Sequence, residues 1–261
     1  MQEDSHSPSL TIEHASGAAA RPHLLFCGGF HSTMHGTKAS HLATYCASRG
    51  YGYTRFNYRG HGQSAEASRT DSIAGWLDDT ISVLDTVVAQ LPSATERKHA
   101  PLIVVGSSMG AWLTLLATLE RSNDVAGLVL IAAAPDFTSE LLWPALSAQE
   151  QFRIDSGETV FRANDYDESA WPLHKALFDS GKQLSVLDNQ RLADIHCPVR
   201  LLHGTADTDV PWTLSQRVLA RLKSSDADLR LLHLADHRLS DALSLVKIEC
   251  AVEEIVRLTG I

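Results

Sequence analysis

Cysteine is scarce in this chain of 261 residues. Cys27, Cys46, Cys197 and Cys250 lie far apart, and no CxxC pairs any two of them. A zinc knuckle and a thioredoxin-type redox motif are thereby excluded. The expectation is free, buried thiols in a reducing compartment. Glycine and proline, at 16 and 9 residues, are too few for a collagen-like or low-complexity chain. No run of about 18 apolar residues occurs, so no membrane-spanning helix is expected. Basic charge is also in short supply, with 22 Lys and Arg against 31 Asp and Glu. Nucleic acid needs clustered Lys and Arg for its phosphates, so it is not an expected partner. The opening residues carry Glu3, Asp4 and Glu13 and no apolar segment, unlike a secretory signal or an Arg-rich transit peptide. The expected location is the cytoplasm.

What is present is a strand–helix alternation. Apolar runs at 23–27, 102–105, 126–132, 198–203 and 229–234, and the aromatic-rich run 52–58, read as strands; those at 102–105 and beyond read as buried on both faces. Helical spacing follows at 37–49, 73–91, 111–119, 215–222 and 242–258, with Gly50 and Pro92 as stops. This order predicts an α/β fold with a mostly parallel central sheet flanked by helices. Residues 1–20 read as a loose arm or an edge strand, and 21–261 as a single domain. The rhythm breaks at about 136–189, where Trp143, Phe152, Phe161, Trp171 and Phe178 alternate with acids and no strand is evident. That stretch predicts a helical insertion, a lid over the strand ends, because disordered segments lack aromatics.

The sharpest signal is Gly106-Ser107-Ser108-Met109-Gly110, a G-x-S-x-G directly after the 102–105 strand and at the start of a helix. A tight strand-to-helix turn there would expose the Ser108 hydroxyl as a nucleophile, with Ser107 structural. A serine hydroxyl needs a base to take its proton, and the base needs a carboxylate to orient it. The expected chain order is Ser, acid, His. His237 follows the last strand pattern, whereas His233 lies within it, so His237 is the candidate base. The loop after the preceding strand offers Asp207 and Asp209; Asp207 holds the usual place in G-x-x-D-x-x-V-P. Asp209 then reads as a turn residue or as a group supporting the acid from behind, and Asp236 ranks last because it adjoins the base. Candidate oxyanion donors are the backbone N–H groups of Met109 and Phe30, the latter after Gly28-Gly29. His31 is a candidate at the pocket mouth, and Trp143 and Trp171 are candidate substrate contacts, although packing within the insertion is the commoner role for such side chains. Lys38 and Arg238 read as solvated surface. His31, His35 and His41 have no acidic or thiol neighbour that would make a metal site, and Arg59-Gly60-His61-Gly62 is not a phosphate loop. No cofactor and no metal are expected.

The order strand–GGF, RFNYRGHGQS, GSSMG, HGTADTDVP, DHR resembles the α/β-hydrolase superfamily over nearly all of residues 22–260. The phrases HGTKA, GSSMGAWL, RLLHGTADTDVPW and DHRLS are similar to the branch of α/β-hydrolase domain-containing protein 10, whose members act as palmitoyl-protein thioesterases and acyl-glucuronide esterases. The resemblance implies Ser108, Asp207 and His237 as a triad and a small acyl ester or thioester, or an S-acylated protein, as substrate. Asn57 departs from the usual Asp of that pattern, at a position read as structural. A carbon–carbon hydrolase on the same triad is the alternative, and a non-catalytic binding scaffold is a third.

Overall fold

The computed structural model describes residues 10–18, 21–62, 71–92, 99–164 and 170–260. Residues 1–9, 19 and 20 of the expected arm, and Gln63 and Ser64 of the RFNYRGHGQS phrase, lie outside the described residues. The apolar runs become β2 (His23–Cys27), β4 (Leu102–Ser107) and β5 (Val125–Ile131). The edge strand β1 (Ile12–Ala15) comes from the N-terminal stretch and pairs antiparallel with β3 (Gly52–Phe56). After the insertion, which carries β6 (Val160–Arg162) and β7 (Trp171–Leu173), come β8 (Val199–Gly204) and β9 (Ala227–Leu232). Among the described residues one sheet has the order β1-β3-β2-β4-β5-β8-β9, and every pairing but that of β1 is parallel.

Alternation along the central strands sends successive side chains to opposite faces. Leu25, Val104 and Leu128 enter one core with α2 (Ile73–Gln90) and α3 (Met109–Glu120), while Leu24, Ile103 and Val129 enter the other with α1 (Thr37–Arg49) and α7 (Ala242–Leu258). Ser72 caps α2 by accepting from the Gly75 N–H at 3.0 Å, and Asp241 caps α7 through the N–H groups of Leu243 and Ser244. Proline 92 lies just past the end of α2, as its missing N–H predicts.

Two expectations need correction. β9 is not buried on both faces: it is the sheet's edge, has β8 as its single strand neighbour, and stays half-exposed along its length. It stops at Leu232, so His233 lies beyond the strand and is exposed. The insertion is not wholly helical either. Its helices α4 (Ala148–Asp155) and α5 (Lys175–Gln183) flank the antiparallel ribbon β6–β7, three residues per strand, too short for a readable period of two. Cys27 and Cys46 are buried free thiols, whereas Cys197 is half-buried and Cys250 is exposed. Among the described residues no helix is long and apolar enough to cross a membrane.

Candidate active site

β4 delivers Ser108 at its carboxyl end, and α3 begins one residue later. Ser108 adopts φ 56° and ψ −120°, a left-handed backbone for a residue with a Cβ. Such strain persists only where surroundings hold it. Here the Ser108 N–H donates to the Ile131 carbonyl at 2.9 Å, and its carbonyl accepts from Ala111 N–H at 3.0 Å and Ala134 N–H at 3.3 Å. Ser107 is buried, whereas the Ser108 side chain faces a cavity of about 520 Å³.

The loops after β8 and β9 bring the partners. The Ser108 hydroxyl lies 3.0 Å from Nε2 of His237, and Nδ1 of His237 lies 2.7 Å from Oδ2 of Asp207. With Nδ1–H donating to the carboxylate, Nε2 is left as the acceptor for the serine proton. The Asp207 side chain has no exposure, and burial by itself would raise its pKa. Donors from His203, His237 and the Val210 backbone outweigh that cost and hold the carboxyl below the usual range. Asp209 is exposed and gives its N–H to Asp207 Oδ1 at 3.0 Å, as a turn residue does; Asp236 accepts from Leu239 N–H at 3.1 Å.

Phe30 and Met109 line the same cavity as Ser108, and among the described residues neither backbone N–H donates within the fold. Met109 opens α3, so the helix dipole adds to its N–H. A Cβ on Gly29 would come 3.3 Å from the Ser108 Cβ, which measures how closely the loop after β2 passes Ser108. That loop is held from behind. His31, at φ 53°, gives its N–H to His61 Nε2 at 2.9 Å, and burial pushes His61 down to about 4, so its ring stays neutral and accepting. Asn57, buried, accepts from the Met34 N–H at 2.8 Å and ties the same loop to β3.

Trp171, on β7, lines the cavity and stacks on His31 with centroids 5.7 Å apart; Phe30 meets its edge at 5.0 Å. Phe137, Leu141 and Leu142 add an apolar wall. Trp143 does not line this cavity. It packs edge-on against Phe178, another side chain of the insertion, at 4.9 Å. Lys38 is not simply surface: its ammonium donates to the Arg238 carbonyl at the cavity wall, and burial pushes it down to about 8 against the pull of Asp236. Sequence reasoning passed over His61 and His203. Both stand beside glycines, but no spacing rule marks a histidine whose partner is a backbone N–H or a carboxylate four residues on.

His35 and His41 face Glu13 and Glu249, so the three early histidines do not converge. Among the described residues, Asp207, Asp209 and His237 are the group with metal-ligand proximity; the Asp207 oxygens are already engaged by His237 Nδ1 and by the N–H groups of Asp209 and Val210, and His237 Nε2 by the Ser108 hydroxyl.

Residues 18–154 match the family model described as serine aminopeptidase, S33. The mouse palmitoyl-protein thioesterase ABHD10, mitochondrial, is 30% identical over 253 residues, which is 97% of this chain and 80% of the mouse sequence. The structure of mouse α/β hydrolase domain-containing protein 10 superposes with TM-score 0.81 at 29% identity, covering 98% of this chain and 97% of that one. The chain belongs to the α/β-hydrolase superfamily. This α/β hydrolase is also similar to a protein of Agrobacterium vitis S4 described as a hydrolase, at 33% identity and TM-score 0.85, with 95% and 93% of the two chains covered. The mouse protein's name assigns it to mitochondria, so these relatives lend the cytoplasmic expectation no support.

Proposed function

We propose that this hydrolase cleaves carboxylic esters or thioesters through an acyl-enzyme on Ser108. The observation that carries the reading is the continuous bonded series Ser108 hydroxyl, His237, Asp207, at 3.0 and 2.7 Å, opening onto a cavity. His237 Nε2 takes the hydroxyl proton as Ser108 Oγ attacks the acyl carbonyl. Asp207 keeps the imidazole in the right tautomer and stabilises its cation. Charge grows on the carbonyl oxygen, and the N–H groups of Phe30 and Met109 are aimed at it; one such donor is worth about 10²–10³ in turnover. His237 returns the proton to the departing alcohol or thiol, then activates water to release the acid. No cofactor enters this sequence of steps.

The cavity volume falls within the range of about 300–1,000 Å³ usual for small-molecule sites. Its apolar wall of Phe137, Leu141, Leu142 and Trp171 suits an acyl chain. That wall, together with the thioesterase relative, favours an acyl thioester, including an S-acylated protein, over a short polar ester.

A chain-length series of p-nitrophenyl esters and S-acyl thioesters tests this, with Ser108→Ala as control. The expected result is turnover that rises with acyl length on thioesters and drops at least about a thousandfold in Ser108→Ala. Substantial turnover in that variant would sink the assignment.

A further inference from the structure

His203 is the penultimate residue of β8, four residues before Asp207, and its side chain is fully buried. Its ring meets three oxygens. Nδ1 lies 2.7 Å from the Ser215 hydroxyl on α6 (Thr213–Arg221), and Nε2 lies 2.9 Å from the Val210 carbonyl. Nε2 also lies 3.0 Å from Oδ2 of Asp207. The Val210 carbonyl can only accept, and so can the ionised Asp207. Nε2 must therefore carry the hydrogen and donate it between them. Val210 and Ser215 alone would satisfy a buried imidazole. The contact with Asp207 exceeds what burial requires of this ring.

Asp207 is correspondingly full. Oδ2 receives Nδ1–H of His237 and Nε2–H of His203, and Oδ1 receives the N–H groups of Asp209 at 3.0 Å and Val210 at 2.8 Å. A carboxylate offers about four acceptor sites, so it has no freedom to turn. Two imidazoles meet on the one oxygen that serves the base. Among the described residues the Asp209 carboxylate lies within 4.8 Å of the ligating atoms of Asp207 and His237, the Lys38 ammonium acts on Asp207 and Asp236, and Asp236 and Arg238 flank His237 in sequence.

We propose that His203 is a positioning residue for the reaction, a second imidazole donor that fixes Asp207 Oδ2 toward His237 and draws charge from it, thereby setting the basicity of His237. The proposal rests on the triad reading above. Without the His203 donor, Oδ2 holds more charge, and it stabilises the imidazolium of His237 more strongly. The base then titrates at higher pH, while the loosened carboxylate orients it less well.

Glutamine and asparagine separate this role from mere filling of space. The Gln amide reaches the position of Nε2, and the Asn amide reaches only that of Nδ1, so both are polar but one loses the donor to Asp207. Steady-state kinetics of His203→Gln and His203→Asn on a p-nitrophenyl ester, normalised to the folded fraction from thermal melts, supply the readout. His203→Asn is expected to lower kcat about tenfold with KM within about twofold, and to move the acid limb of the kcat/KM profile up by about half a pH unit. His203→Gln is expected to keep the wild-type limb and kcat within about threefold. An Asn variant with the wild-type limb, or Asn and Gln variants that behave alike, would overturn the proposal while leaving the dependence on Ser108 intact. Equal turnover by wild type and Ser108→Ala would instead overturn the triad reading, and this proposal with it.

Discussion

At the scale of single residues the site is a matter of close approach. Gly110 follows the nucleophile turn, and a Cβ there would come 2.2 Å from the Cys27 carbonyl oxygen and 2.3 Å from that of Gly28. Both atoms are backbone at the root of the loop that carries Phe30, so neither yields cheaply. Gly110→Ala should push α3 away from that loop and separate the two N–H groups proposed to hold the oxyanion. The expected outcome is a loss of at least about 100-fold in kcat together with a destabilisation of about 3 kcal/mol, read by kinetics and denaturant melts. Wild-type kcat in a folded Gly110→Ala protein would contradict the donor assignment. Ser108, Asp207 and His237 were legible as a set because chain order and strand ends locate them. His203 and His61 were not, since nothing local distinguishes a buried histidine that braces a carboxylate from one that is simply satisfied. Trp143 was misread for a related reason: an aromatic in an insertion faces either its own packing or the cavity, and sequence does not say which.

At the scale of elements, Trp171 links the ribbon β6–β7 to the loop after β2. Trp171 packs between the insertion and the pair Phe30–His31, and His31 is itself sandwiched against His61 at 5.3 Å. An aromatic pair of this kind is worth about 0.5–1.5 kcal/mol beyond its burial. Trp171→Ala should therefore loosen the loop and lower kcat/KM about tenfold on a long acyl substrate, with a smaller fall on acetyl esters that do not reach the ribbon. Equal losses on both substrates would mean that the indole supports the loop alone and does not line the acyl path. The insertion's existence was legible from its aromatics, but not the ribbon, because three-residue strands leave no periodic trace.

For the molecule as a whole, the parallel sheet was legible because strands buried on both faces read as unbroken apolar runs, and β4 and β5 do so. β9 was overestimated because an edge strand in such a sheet keeps an apolar sequence while losing one neighbour. The fold also buries imidazoles. Burial pushes His23 down to about 3 and His61 down to about 4. Their folded values lie below the unfolded one near 6.5, so the unfolded chain binds protons first. The stability these residues contribute is lost as pH falls from about 6.5 toward 4. Asp71 acts in the opposite sense, since burial raises it to about 6 and its protonation favours the fold, but it is one group against two with larger shifts. The thermal midpoint should fall steadily across that window. A flat profile would contradict the burial of these rings.

The most direct measurement is peptide mapping by mass spectrometry after labelling with a fluorophosphonate. A single adduct on Ser108 is predicted, absent in Ser108→Ala and formed at least about 100-fold more slowly in His237→Ala. An adduct on any other residue, or labelling undiminished in Ser108→Ala, would contradict the account.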